Sequence, residues 1–152
     1  MTFSHDGLRD SLTHLAAPPY FYENLRRELG TAERNKSELS LIRFLISKNV
    51  AGIQITESKI ESENSQYEVA ILSFAEILKA SIRSEDLCAR LGQFEFTLVI
   101  KASSDAATSL AQRVLDSLKI ESFDCYYSVV TADNSESSLE ILNRLDNQEL
   151  QR

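Results

Sequence analysis

Arg90-Leu91-Gly92-Gln93-Phe94-Glu95-Phe96 runs directly into the apolar stretch Thr97-Leu98-Val99-Ile100. Gly92 suits a tight turn, and the residues after it alternate so that Phe94, Phe96, Leu98 and Ile100 share one face of a strand. The segment reads as strand, turn, strand, with its second arm in a buried sheet. Upstream, Glu68 to Ile82 is predicted as a helix whose buried stripe is Val69, Leu72, Ala75, Ile77, Leu78 and Ile82. Downstream, Asp105 to Leu118 gives another helix, capped by Ser103 or Ser104, with Leu110, Val114, Leu115 and Leu118 facing inward. Phe123 to Thr131 (FDCYYSVVT) reads as a strand. Ser135 to about Leu150 reads as a closing helix with Leu139, Leu142 and Leu145 inside.

Nearer the start, Leu39 to Ile46 (LSLIRFLI) is an almost continuous apolar run broken by one arginine, the pattern of a central strand. Ala51 to Thr56 (AGIQIT) alternates as a strand does, and the polar run Glu57 to Gln66 reads as a surface loop or a short helix. Tyr20 to about Arg34 is predicted as a helix with Phe21, Leu25 and Leu29 at helical spacing, introduced by Pro18-Pro19. Residues 1–17 form a lead-in with an amphipathic turn at Leu8, Leu12 and Leu15, and residues 18–152 form the domain. Strands, hairpin and helices in this order predict an α+β sandwich: a central, mostly antiparallel sheet flanked by helices.

A chain of 152 residues, 43% hydrophobic, suffices for one core. A net charge of -7 argues against general DNA or RNA binding, which depends on Lys and Arg neutralising phosphates. It leaves room for a small phosphorylated ligand held by a few local arginines. No apolar run reaches bilayer length and no basic-then-apolar leader stands at the start, so a cytoplasmic location is expected. Cys88 and Cys125 lack metal-ligand or redox spacing and read as buried thiols in a reducing cytosol. His5 and His14 are too isolated for a metal site, and no Ser/His/Asp or Cys/His set is visible.

The hairpin RLGQFEF resembles, in altered form, the signature of the GGDEF (diguanylate cyclase) family. Asp10-Ser11-Leu12-Thr13-His14-Leu15 is similar to that family's D-x-L-T-G-L opening, with His14 where glycine is expected. Asp146 stands where the family's closing helix carries an aspartate. The resemblance runs from about Asp10 to Leu150 and implies a nucleotidyl-cyclase or palm-like fold with a ferredoxin-like core. It also implies that active members bind Mg²⁺ through an aspartate at the end of the central strand and a carboxylate at the third signature position. Here those positions hold Leu45 and Phe94, with Ser47 where a second aspartate usually follows. Neither an isobutyl nor a benzyl group can ligate a hard divalent cation. The family's guanine-contacting segment falls on Lys48-Asn49-Val50-Ala51-Gly52. A degenerate domain is therefore expected: no catalytic residues, no metal, no cofactor, not an enzyme. Glu95 is expected as a solvated residue of an exposed turn.

The same resemblance implies a ligand site. Arg83-Ser84-Glu85-Asp86 matches the R-x-x-D of the family's inhibitory cyclic di-GMP site, and Arg113 on the following helix matches its further arginine. A guanidinium can donate two parallel hydrogen bonds to the Hoogsteen edge of guanine, and a carboxylate can accept from guanine N–H groups. The expected function is thus a bacterial regulatory receptor for cyclic di-GMP, with ligand-linked self-association a corollary. Two other readings stand beside it, an interaction scaffold and a residual or altered enzyme such as one hydrolysing GTP. Arg83 and Asp86 also suit a helix C-terminus and its turn, as a dipole partner and a surface pair. The chain would then be a protein–protein interaction scaffold without nucleotide binding, docking a partner on the face around Phe94.

Overall fold

The computed structural model describes residues 3–48, 57–118 and 123–152. Among them, the chain runs α1 (Pro18–Asn35), β1 (Ser40–Lys48), α2 (Glu57–Ser81), β2 (Leu87–Gly92), β3 (Glu95–Ile100), α3 (Ser104–Ser117), β4 (Phe123–Thr131) and α4 (Ser138–Asn147). The strands form one sheet in the order β2-β3-β1-β4, and each neighbouring pair is antiparallel. Alternation along β1 and β3 divides the core into two layers. Ile42, Phe44, Ile46, Phe96, Leu98 and Ile100 meet α2 and α3 on one face. Leu39, Leu41 and Val99 meet α1 and α4 on the other. This is the α+β, palm-like sandwich expected from the sequence. The strand expected at 51–56 lies outside the described residues.

Several element limits differ from the expectation, each for a local reason. Helix α2 begins at Glu57, so the polar run is the first part of one 25-residue helix rather than a loop or a separate short helix. Its buried stripe is Ala70, Ile71, Phe74, Ala75 and Leu78, whereas Val69 and Leu72 are exposed. Phe74 decides this phase, because its ring packs on Phe44 and Phe96. Helix α4 begins at Ser138, where Ser137 and Glu140 form a reciprocal capping box. That start turns Ile141 and Leu145 inward and leaves Leu139 in water. Helix α3 follows its Ser103 cap as expected. The hairpin turn is made by Gln93 and Phe94, one step beyond the expected position. Gly92 ends β2 opposite Glu95, after a register shift that follows Arg90.

Residues 3–17 pack into the domain along the outer edge of β2. Ala16 pairs with Ala89 in parallel, its N–H donating to the Cys88 carbonyl and its carbonyl accepting from the Arg90 N–H, both at 3.1 Å. Leu15, Ala16 and Ala17 are buried, while Leu8 is exposed. The strongest tie is ionic. Arg90 and Asp10, both fully buried, pair at 3.0 Å. Asp10 Oδ2 also accepts from the Thr13 amide at 2.8 Å and its hydroxyl at 2.7 Å. Arg90 Nη2 donates to the Gln93 carbonyl at 2.9 Å. Removing one partner strands a buried charge, so Asp10→Ala is expected to cost about 3–5 kcal/mol. Urea unfolding reads this, and a loss under about 1 kcal/mol would show that water reaches Arg90 instead.

Candidate functional site

Two regions hold the residues singled out in the sequence: the face of Leu45 and Phe94, and the turn between α2 and β2. On the first, Leu45 lies on the same side of β1 as Arg43 and is paired in register with Glu95 on β3 and Tyr126 on β4. Phe94 sits in the hairpin turn, half-buried against the layer under α2, with its ring 4.9 Å from that of Tyr67. Phe123 meets the Tyr67 ring edge to face, with centroids 5.3 Å apart. Neither position offers an oxygen side chain, so the residues present do not fit the family's divalent cation. Glu95 departs from expectation. It is half-buried rather than solvated, because Arg43 on the neighbouring strand reaches it with both Nε, at 2.7 Å, and Nη2. Asp146 of α4 lies 3.9 Å from Arg43 Nε. The lone arginine in an apolar strand was the signal that could have found this pair.

On the second region, the sequence-predicted residues come together. Arg83, Asp86 and Arg113 line one shallow cleft of about 230 Å³, with Ser81, Glu85 and Lys101. Its walls are the end of α2, the turn into β2, the end of β3 and the exposed side of α3. The turn is self-supporting: Asp86 Oδ2 accepts from the Arg83 amide at 2.9 Å, and the Asp86 amide donates to the Arg83 carbonyl at 3.1 Å. Asp86 is half-buried, while Arg83 and Arg113 are exposed. Lys101, just past β3, was missed in the sequence, since nothing in its local pattern marks it.

A larger groove, of about 660 Å³, runs between the end of α1 and the β4–α4 loop. Glu33, Glu38, Asp133 and Glu136 line it, with Lys36. Arg144 already binds Glu136 at 2.6 Å and holds its carboxyl below the usual glutamate range. Such a groove repels polyanions. Burial pushes the thiols of Cys88 and Cys125 up to about 12, which leaves them inert at neutral pH.

A four-stranded antiparallel sheet with helices on both faces, carrying a hairpin between its second and third strands, is a palm-like α+β architecture. Residues 66–134 match the family model "Diguanylate cyclase, GGDEF domain". The chain is similar to GGDEF domains over that segment. Diguanylate cyclase DgcS of Shewanella oneidensis is 26% identical over 112 residues, which is 74% of this chain and 36% of the relative. The chain thus spans about a third of the length of that curated relative. The fold is shared with the GGDEF domain of DgcB from Caulobacter crescentus, solved in complex with c-di-GMP. The TM-score is 0.78 at 16% identity, covering 97% of this chain and 88% of the other. It is also shared with diguanylate cyclase SiaD of Pseudomonas aeruginosa, solved with its activator SiaC. There the TM-score is 0.73 at 21% identity, covering 92% and 55%. Among the described residues, no helix is long and apolar enough to cross a membrane.

The Arg43–Glu95 pair has a measurable consequence. Arg43→Ala leaves a half-buried carboxylate without its donor and is expected to destabilise the domain by about 1–3 kcal/mol in urea unfolding. The Arg43→Ala/Glu95→Ala double variant should lose less than the sum of the two single variants, and strict additivity would show the pair to be uncoupled.

Proposed function

We propose that this GGDEF domain binds cyclic di-GMP at the cleft of Arg83, Asp86 and Arg113 and does not synthesise it. The observation that carries the proposal is the convergence of these side chains on one open cleft, although Arg113 is far from the other two in sequence. Arg83 or Arg113 supplies a planar fork for guanine O6 and N7, or for a phosphate oxygen. Asp86 uses one oxygen to fix the turn, and its remaining lone pairs can accept from guanine N–H groups. The complex of the DgcB domain with c-di-GMP supports the ligand class.

Inactivity is argued from side-chain chemistry. Leu45 and Phe94 cannot replace the carboxylates on which metal-assisted phosphoryl transfer depends, and a triphosphate beside them would be desolvated without compensating charge. The scaffold reading gains little, because the Phe94 ring is turned against Tyr67 and the core instead of forming an apolar docking face. The protein is accordingly read as a regulatory module in cyclic di-GMP signalling, with ligand-linked self-association as its output.

Isothermal titration with cyclic di-GMP should give micromolar binding to the wild type and a loss of about 5–150-fold in Arg83→Ala, since a bidentate contact is worth about 1–3 kcal/mol. No heat with the wild type would overturn the receptor. Incubation with GTP and Mg²⁺ should yield no dinucleotide, and turnover would overturn the claim of inactivity.

A further inference from the structure

Among the described residues, Lys101 is the one lysine that lines the cleft holding Arg83, Asp86 and Arg113. It also borders a neighbouring recess of about 60 Å³ on the α1 side, where Glu28 lies. Its Nζ stands 3.8 Å from Glu28 Oε2, with the lysine side chain 51% exposed. An ion pair at that separation, half in water, holds its lysine weakly. A flexible four-carbon stem at the rim of both spaces lets the ammonium turn from one to the other. The cleft itself carries Arg83, Arg113 and Lys101 against Glu85 and Asp86, and Asp86 is partly occupied by the turn. In a chain of net charge -7, this is a local excess of cation. A guanine base satisfies a guanidinium and a carboxylate, but it leaves the phosphodiester anions of a cyclic dinucleotide still to be matched.

We infer that Lys101 is a phosphate-binding residue of this cleft, which gives up Glu28 for a phosphodiester oxygen when the ligand binds. The exchange links occupancy of the cleft to α1, because Glu28 belongs to that helix. Linkage then sets the sign of each substitution. Removing the ammonium weakens the ligand, and removing its competitor tightens it. This role rests on the proposed function, and it adds to that function a residue and a route of communication.

The test is titration of cyclic di-GMP into the wild type, Lys101→Met, Glu28→Gln and Arg83→Ala, each at low and moderate salt. Lys101→Met is expected to weaken binding about 3–10-fold and to flatten its salt dependence, as loss of one charge-assisted contact requires. Glu28→Gln is expected to tighten binding about 2–5-fold, in keeping with a weak surface pair. That sign is opposite to the effect of a folding defect. Unchanged affinity and salt dependence in Lys101→Met, while Arg83→Ala loses the ligand, overturns the role of Lys101 and leaves the receptor intact. Unchanged or weaker binding in Glu28→Gln overturns the exchange. Absence of binding in the wild type overturns the receptor and this role together.

Discussion

A guanidinium with no exposed surface sits at the root of the signature hairpin, and the domain is arranged so that this charge can stay there. Arg90 is neutralised by Asp10, from a segment 80 residues away, and its second nitrogen is bound by the carbonyl of Gln93 in the hairpin turn. Taking such a pair out of water is costly, so good geometry on every side is needed for it to persist. Thr13 supplies part of that geometry through its amide and hydroxyl. Phe3 covers the guanidinium from 5.0 Å, and only Nε is left without a partner. The segment before Pro18 is thereby fastened to β2, and the turn that carries Phe94 is held by the same side chain.

From that anchor the altered face follows. With the turn fixed, Phe94 folds against Tyr67, and Glu95 lies across from Leu45 where Arg43 can reach it. The positive charge beside the remaining signature carboxylate is therefore an internal guanidinium, set between Glu95 and Asp146. The cleft at the α2–β2 turn has the opposite character. Its cations are exposed or loosely held, and its Asp86 carboxylate is pre-set by a backbone hydrogen bond. One end of the domain has closed its charges on themselves, and the other presents them.

Much of this was legible before the fold was known. The almost continuous apolar run at 39–46 and the stretch at 123–131 marked strands that the structure contains, and Pro18-Pro19 marked the start of α1. What failed was phase. Val69, Leu72 and Leu139 are apolar residues in water, and only the rings of Phe44 and Phe96 against Phe74 or the capping box at Ser137 decide which side of a helix is buried. The lone Arg43 in an apolar strand signals that a partner exists, but which one was invisible for a related reason, since Glu95 is 52 residues away and no local pattern joins them. Arg83 and Asp86 were singled out by resemblance to the family's R-x-x-D, their spacing at a helix end showing only that the two side chains share one side. Arg113 came from resemblance alone, and Lys101 needed the three-dimensional cleft.

The central claim is that nucleotide is bound at the α2–β2 turn and not at the face of Leu45 and Phe94. Amide and guanidinium NMR spectra, recorded with cyclic di-GMP and separately with GTP and Mg²⁺, distinguish the two regions directly. The account predicts shifts at Arg83, Asp86, Lys101 and Arg113 with the dinucleotide, and none around Leu45, Phe94 and Glu95 with the triphosphate and metal. Shifts centred on Leu45 and Phe94, with the cleft silent, would contradict it.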